Sequence, residues 1–285
     1  MHLSTLERLC CPECKEPLRL VEATAWQSKD TVQRGAAGCA CGARYAIRSG
    51  ILDFRPSRQG ITLAQWTNHF APTAWGYERF WRLRALSQLS GEPFPVSREA
   101  EVILGMMEPD QPGLYLDLAC STALQARILA GYWRDRPTAA RVLAVDFAWP
   151  MLREAVSLIR REGWECIDLV CADTEQLPLP EASIAGIACG GSLNEFRNAP
   201  AVLAEARRVA GGGSRSAFMS LLAGEDGPSA AEYWLTQSSG IRFYTLAETR
   251  QLFEDADWYV CCQAAWGRIA FTEIEPLLDK PYIKP

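Results

Sequence analysis

The sequence predicts an α/β fold built around a mainly parallel sheet. Three short apolar runs each carry an acid at or near their ends: 114–118 with Asp117 inside it, 142–145 before Asp146, and 169–172 before Asp173. Apolar runs of this length, bounded by small or polar residues, are typical of buried parallel strands. Segments with helical periodicity alternate with these runs, which favours helices on both faces of the sheet. Since ligands bind at the carboxyl ends of such strands, the three acids predict a pocket for a ligand rich in hydroxyls and amines.

The remaining elements follow in order along the second half of the chain. Thr245 and Glu248 have the spacing of a capping box, which predicts where the last helix begins. Pro150 suits the first turn of a helix whose apolar residues then repeat at helical spacing. The predicted helices cover 122–130, 150–162, 199–209 and 245–255, two further strands cover 183–189 and 216–221, and a terminal hairpin covers 259–262 and 268–272.

Composition limits the domain organisation and the class of function. The chain has 285 residues, of which 48% are hydrophobic, so it has room for one large domain and one small one. The net charge of -5 argues against a strong nucleic-acid binder. No apolar run approaches the roughly 20 residues of a membrane span, and no signal-peptide pattern opens the sequence, so a cytoplasmic location is expected. We predict three parts, 1–56, 57–110 and 111–285.

The cysteines point to a metal in the first part. Five of the eleven cysteines lie between Cys10 and Cys41, and without an export signal a disulfide framework is disfavoured. Two close pairs, Cys11 with Cys14 and Cys39 with Cys41, predict a closed, structural zinc site with four thiolate ligands. Two alternatives stay open: Cys10 replaces Cys11 as a ligand, or the cysteines are free thiols without a metal.

The second part is dense in aromatic residues, which predicts either a cap over a pocket or a helix that packs its aromatic face on the core. His69 is a candidate catalytic base and Tyr77 a candidate hydrogen-bond donor to an acceptor substrate, although a lone histidine is more often structural. The residues concerned are Trp66, His69, Phe70, Trp75, Tyr77, Phe80 and Trp81.

The order of the three acids resembles a class I S-adenosylmethionine (SAM)-dependent methyltransferase of the type 11 kind, over about residues 114–221. The resemblance implies a Rossmann-like, seven-stranded, mainly parallel sheet with SAM as the cofactor. In that family the first acid lies near the methionine amine, the second holds the ribose hydroxyls and the third meets the adenine amine. The donor-binding residues that the resemblance implies are Asp117, Ala119, Cys120, Ser121, Asp146, Phe147, Asp173, Thr174 and Gly190.

The first turn departs from the family pattern D-x-G-x-G-x-G. Small residues stand in place of all three glycines, at Ala119, Ser121 and Ala123. Glycine is used where the backbone approaches a ligand closely or takes a positive φ. An alternative interpretation is therefore a protein of this fold that has lost its ligand, with Asp146 serving only to cap the helix at Pro150.

The front of the chain carries a further resemblance. Gly42–Tyr45 and Gly50–Phe54 resemble the end of the zinc-ribbon module found before some methyltransferase domains. Tyr77-Glu78-Arg79 and Trp81-Arg82 resemble a segment in a plant and cyanobacterial group of methyltransferase-like proteins. That group also has a cysteine-rich front end, and it includes plastid proteins associated with lipid droplets.

The leading functional hypothesis is methyl transfer from SAM to a small, fairly apolar acceptor of aromatic or quinone-like character. No N/D-P-P-Y/F motif follows the fourth strand, which disfavours methylation of exocyclic base amines; Asn194 or Glu195 there could orient an acceptor, or simply be polar loop residues. The alternatives are an rRNA base methyltransferase, a SAM-binding protein with a different reaction, and a binding protein with a degenerate donor site.

Overall fold

The computed structural model describes residues 1–55, 82–136, 138–224 and 227–277, apart from the side chains of Leu83 and Ala231. Its strands are β1 (Arg19–Ser28), β2 (Thr31–Gly38), β3 (Arg44–Arg48), β4 (Ile51–Asp53), β5 (Leu114–Leu118), β6 (Arg141–Asp146), β7 (Ile167–Cys171), β8 (Gly186–Gly190), β9 (Ser216–Leu221), β10 (Trp258–Trp266) and β11 (Ile269–Pro276). Its helices are α1 (Leu3–Leu6), α2 (Leu83–Ser90), α3 (Val96–Met107), α4 (Leu124–Trp133), α5 (Trp149–Glu162), α6 (Ala199–Val209), α7 (Ala230–Ser239) and α8 (Leu246–Glu254).

The second half of the chain forms the predicted parallel sheet. Strands β7, β6, β5, β8 and β9 lie side by side in that order and run parallel, and β11 then pairs antiparallel with β9 and with β10. This sheet of seven strands confirms the predicted fold class. The terminal hairpin and the capping box of Thr245 and Glu248 at the start of α8 are also present as predicted.

Apolar side chains cover both faces of this sheet. One buried cluster includes Leu116, Val170 and Phe218 together with side chains of α6 and α8. The other includes Ile103, Ala144 and Phe271 together with side chains of α3, α4 and α5. Because every residue of β5 and β7 is buried, these strands are continuous apolar runs rather than alternating ones, as expected for a parallel sheet covered on both sides.

The region before residue 55 continues the same sheet. Strand β4 pairs in parallel with β7, and β3, β2 and β1 follow it as an antiparallel meander, so that the described residues form one sheet of eleven strands. Asp168 on β7 supports this junction, since its buried carboxylate accepts a hydrogen bond of 2.6 Å from the Thr5 hydroxyl and one of 2.8 Å from Arg141. The predicted boundaries at 56 and 110 stay predictions, and the structure adds that the first part is continuous with the sheet.

Besides the short helix α1, three helices were not predicted from sequence. Helices α2 and α3 precede the first strand of the parallel sheet, and α7 follows β9. Helix α7 begins with a capping box of Ser229 and Glu232, and this pattern could have been found in the sequence. Within the described ranges, no helix has the length and apolar character needed to cross a membrane.

Candidate functional site

The three acids singled out from sequence lie at one edge of the sheet. Asp117 is within β5, Asp146 ends β6, and Asp173 follows β7 by two residues. Strands β5, β6 and β7 are adjacent and parallel, and Asp146 pairs in register with Cys171. The structure therefore brings the carboxyl ends that carry these acids next to one another, in the crevice where this kind of sheet binds ligands.

The turn between β5 and α4 keeps a glycine-like backbone without any glycine. Ala119, Ser121 and Ala123 have φ values of 54°, 50° and 61°, so each lies in the left-handed region. These are the three positions at which the sequence departs from the glycine pattern. A left-handed conformation costs a residue with a Cβ atom about 1–2 kcal/mol, so the turn stores strain at three places.

Asp146 holds this turn in place. One carboxylate oxygen accepts a hydrogen bond of 2.7 Å from the backbone N–H of Ser121, and the other accepts one of 2.7 Å from that of Ala148. The side chain thus joins the end of β6 to the turn on one side and to the start of α5 on the other. Burial raises the pKa of Asp146, although hydrogen bonds from Ala148, Ser121 and Phe147 act in the opposite direction.

Asp117 is more deeply buried. One of its oxygens accepts a hydrogen bond of 2.8 Å from the backbone N–H of Ala126, in the first turn of α4, and the other has no hydrogen-bond partner among the described residues. Burial raises the pKa of Asp117 to about 8, and the negative charge of Asp146 acts in the same direction. A buried carboxyl with one unsatisfied oxygen at a pocket is typical of a functional group rather than of a core residue.

A buried polar network closes the other side of the turn, and sequence reasoning missed it. The Arg82 guanidinium donates to Glu99 at 2.5 Å and to the carbonyl oxygen of Gly190 at 3.0 Å. Gln125 donates to the same Glu99 oxygen at 2.7 Å. Glu99 is fully buried on α3, a helix that was not predicted, and no local motif indicates that it pairs with Arg82, 17 residues earlier.

The remaining predicted donor residues lie around this turn. Cys120 and Thr174 are buried, Phe147 is half-buried at the end of β6, and Asp173 accepts a hydrogen bond of 2.9 Å from the backbone N–H of Glu175. Gly190 ends β8, and a Cβ atom there would lie 2.4 Å from the Gln125 amide nitrogen, so a larger residue would require the Gln125 side chain to shift. The described residues leave a cavity of about 20 Å³ between Arg82, the turn and Gly190.

The loop after β8 is tied to the far side of the same edge. Asn194 is fully buried, and its amide group donates to the carbonyl oxygens of Leu221 and Arg242 and accepts from the N–H of Leu221. These bonds connect the loop to the end of β9 and to the segment after α7. Asn194 is therefore a structural residue of this loop.

Two predicted catalytic residues cannot be placed. His69 and Tyr77, with the aromatic segment that contains them, lie outside the described residues. Their catalytic roles stay predictions.

The structure brings together the four cysteines predicted as metal ligands. The sulfur atoms of Cys11, Cys14, Cys39 and Cys41 all lie within 4.8 Å of one another. Cys10 is buried outside this group, and its backbone N–H donates to the carbonyl oxygen of Pro178. Cys11, and not Cys10, therefore lies in the group of four thiols. Four thiols at this separation form a closed set of ligands of the kind that holds zinc.

Tyr45 supports the cysteine cluster from outside. Its hydroxyl lies 3.1 Å from the sulfur of Cys11, and its ring packs on Phe54 with the centroids 4.6 Å apart. Burial alone would raise the pKa of Cys11, but hydrogen bonds from the Tyr45 hydroxyl and from the backbone N–H groups of Cys14 and Glu13 lower it to about 7. Sequence reasoning did not identify Tyr45 as a partner of the cluster.

Comparisons with known proteins agree with the geometry. Residues 116–218 match the family described as "Methyltransferase domain". The chain is 25% identical over 222 residues to an uncharacterized chloroplastic methyltransferase of Arabidopsis thaliana. This alignment covers 73% of this chain and 60% of that protein. The chain is 30% identical over 158 residues to a malonyl-[acyl-carrier protein] O-methyltransferase of Pseudescherichia vulneris, which covers 53% of this chain and 58% of that protein. The chain thus spans about three-fifths of the length of these relatives.

Solved structures share the fold at low sequence identity. The [4+2]-cyclase SpnF is 14% identical, with a TM-score of 0.58 over 76% of this chain and 99% of the other. A structure containing the Trm112 activator and a methyltransferase of Haloferax volcanii is 15% identical, with a TM-score of 0.56 over 78% of this chain and 100% of the matched one. These likenesses show the fold alone.

The strained turn generates the first prediction. Replacing Ala119 or Ser121 by glycine removes a Cβ atom from a left-handed position, so each change should raise the free energy of unfolding by about 1 kcal/mol. Ala130→Gly, in the middle of α4, is the matched control and should lower it by about 1 kcal/mol. Urea denaturation measures all three. If the turn variants lose stability as the helix variant does, the left-handed turn is wrong.

The buried Asp117 generates the second prediction. The pKa of about 8 lies above that of the unfolded chain, so its contribution to stability is complete at low pH and is lost as pH rises towards 8. The Asp117→Asn variant has no such ionisation. Between about pH 5 and about pH 8, the native protein should therefore lose on the order of 3 kcal/mol of unfolding free energy relative to the Asp117→Asn variant.

Urea denaturation across this pH range tests the shift, with Asp255→Asn on the exposed end of α8 as the control. A difference that stays constant with pH would mean that Asp117 is ionised throughout.

Proposed function

Because residues 116–218 form a methyltransferase domain of the class I SAM-dependent family, we propose that this protein transfers the methyl group of SAM to a small, fairly apolar acceptor. The acceptor we propose is aromatic or quinone-like. The observation that carries the proposal is the set of acids at adjacent strand ends, Asp117, Asp146 and Asp173, around a turn that keeps a glycine-like backbone.

The donor set suits SAM chemically. The unsatisfied oxygen of Asp117 is an acceptor for an ammonium group, and meeting that cation would favour the ionised form of the buried carboxyl. Asp146 accepts backbone hydrogen bonds from Ser121 and Ala148, and since a carboxylate has about four lone-pair sites, it keeps acceptor capacity for ribose hydroxyls. Phe147 follows directly, where its ring can lie against adenine.

SAM, when bound, supplies both the methyl group and the leaving group, so the protein mainly aligns the acceptor and excludes water. The cavity of about 20 Å³ is smaller than the methionine end of the donor. Arg82 and Gln125 border this cavity, and both donate hydrogen bonds to Glu99 on α3.

Features on the β9 side of the edge support an apolar acceptor. Helix α7 follows the end of β9 and exposes Tyr233 and Trp234, which are 64% and 69% accessible to solvent. Exposed aromatic side chains next to each other are typical of a surface that contacts an apolar molecule. The relative that methylates a malonyl group on a carrier protein supports transfer to oxygen.

A second candidate function is binding without methyl transfer. The strain in the turn and the small cavity beside it are the observations that favour it. In this case the domain would have kept the fold of its family and lost the affinity for SAM. Measured affinity for the donor separates the two functions.

We further propose that the four cysteines hold one zinc ion with a structural role. Thiolates are preferred zinc ligands, and a complete set of four leaves no open position for catalysis. Lys15 and Gly42 follow the two cysteine pairs with positive φ values of 63° and 93°, the tight turns that bring the pairs together. Hydrogen bonds from the ligand shell, such as that from Tyr45 to Cys11, orient metal ligands and strengthen binding.

The donor site generates the third prediction. Asp146→Ala should lower the affinity for S-adenosylhomocysteine at least about tenfold, since it removes the acceptor of the ribose hydroxyls and releases the turn. Isothermal titration calorimetry measures this, with Asp255→Ala as the control. Weak binding by the native chain, at millimolar ligand and with the protein folded, would instead favour the second candidate function.

The cysteine cluster generates the fourth prediction. Protein purified without chelators should contain about one zinc per chain. Tyr45→Phe should keep the ligands and weaken zinc retention about tenfold in competition with a chromogenic chelator. Tyr132→Phe, whose hydroxyl bonds Asp110 far from the cluster, is the matched control. Metal-free native protein would rule out the zinc assignment, and equal retention by both variants would rule out the role of Tyr45.

A further inference from the structure

One face of the first strands carries arginines above a floor of small residues. Along β3, Arg44, Ala46 and Arg48 point to the same side, because side chains alternate between the faces of a strand. On β2, Arg34 pairs with Arg48 and Ala36 with Ala46, which brings these residues to the same side. With Arg55, just after β4, we call Arg34, Arg44 and Arg48 the arginine face. Its floor consists of alanines, so a ligand can approach the backbone closely.

The arginine face borders a shallow, open cavity of about 400 Å³. Arg44, Ala46, Arg48, Asp53 and Arg55 line it, and Glu22 pairs with Arg44 from outside, so three positive charges meet two negative charges and leave a balance of +1. Asp53 fixes the Arg55 guanidinium with two bonds of 2.9 and 2.7 Å, and lies 3.7 Å from a terminal nitrogen of Arg48. Since a guanidinium has five N–H donors, both arginines keep donors to offer a ligand.

The clustering of arginines lowers the stability of the fold, so a structural role alone does not explain it. Arg34 and Arg48 are directly opposite each other in an antiparallel pair, where like charges are destabilising. Among the residues that the structure describes, no carboxylate pairs with Arg34. Glu22 pairs with Arg44 at 3.2 Å, but both side chains are largely exposed, so this bond contributes little.

The cavity lies at the functional edge of the molecule. Strand β4 runs parallel to β7, so Asp53 and Arg55 emerge at the same edge as the three acids of the donor site. The Arg55 guanidinium lies over the ring of Trp149, 4.6 Å from its centroid, and Trp149 begins the helix that follows Asp146. The cavity thus adjoins the donor site without sharing its residues.

We propose that Arg44, Arg48 and Arg55 form a second ligand site, which binds a phosphate group of a phosphorylated small molecule or of an RNA backbone. The planar fork of arginine matches phosphate oxygens with two parallel hydrogen bonds. A phosphate monoester carries about −1.5 to −2 charges at pH 7, which is enough to neutralise the net positive charge of the cavity. Asp53 is the positioning residue, because its two hydrogen bonds hold the Arg55 guanidinium before a ligand arrives.

Calorimetric titration of pyrophosphate into the metal-loaded full chain at low salt tests the site. The native chain should bind, and the Arg44→Ala/Arg48→Ala double variant should bind at least about tenfold more weakly. Both side chains are more than 60% exposed, so the variant should fold normally, and its melting temperature checks this. Arg250→Ala, on exposed α8 at the other end of the sheet, is the matched control and should bind as the native chain does.

Two further arms identify the ligand and its place. An octamer of uridylate replaces pyrophosphate in the same titration: tighter, strongly salt-dependent binding assigns the site to RNA, and binding of pyrophosphate alone assigns it to a small molecule. Saturating S-adenosylhomocysteine should leave the binding of pyrophosphate unchanged. The proposal is wrong if neither probe binds the native chain, if the double variant binds equally well, or if S-adenosylhomocysteine displaces pyrophosphate.

Discussion

The hydrogen bonds of the Asp146 carboxylate are the constraint on which the candidate site depends. They hold the backbone of the first turn through Ser121 and the start of α5 through Ala148. The turn carries three left-handed residues with a combined strain of about 3–6 kcal/mol. The charge-assisted bond from Ser121, at about 1.5–3 kcal/mol, offsets part of that strain. Asp146 therefore has two roles in the proposed site: it is a candidate ligand-binding group, and it stabilises the turn next to it.

The sheet joins the cysteine cluster to the edge that carries the three acids. Tyr45 contacts Cys11 on one side and Phe54 on the other, and the backbone N–H of Phe54 donates to the carbonyl oxygen of Cys171. Cys171 pairs in turn with Asp146. The cluster, the arginine face and the candidate donor site are thus connected through one sheet, although more than 60 residues separate Arg55 from Asp117 in the sequence.

Local patterns in the sequence predicted the parallel strands, the acids at their ends, the four cysteines and the last helix, because each depends on residues close together in the chain. The pairing of β4 with β7 was not predictable, since a strand of three residues has almost no pattern and its partner is distant. Arg82 and Glu99 meet through the packing of α3, which no local motif specifies. The position of the left-handed turn was predicted from the motif. Its backbone conformation was not, because Ala119 and Ser121 are residue types that rarely adopt positive φ.

The parallel pairing of β4 with β7 has a consequence for biosynthesis. Ile51 pairs with Leu169, so roughly a hundred residues must leave the ribosome between the synthesis of one strand and that of its neighbour. During this interval β4 lacks its partner strand β7, and the cysteines of the meander lack the contacts that they have in the folded protein. Metal capture by the nascent chain would close the meander early, and would protect both the reactive sulfur atoms and an exposed sheet edge until the partner strand arrives.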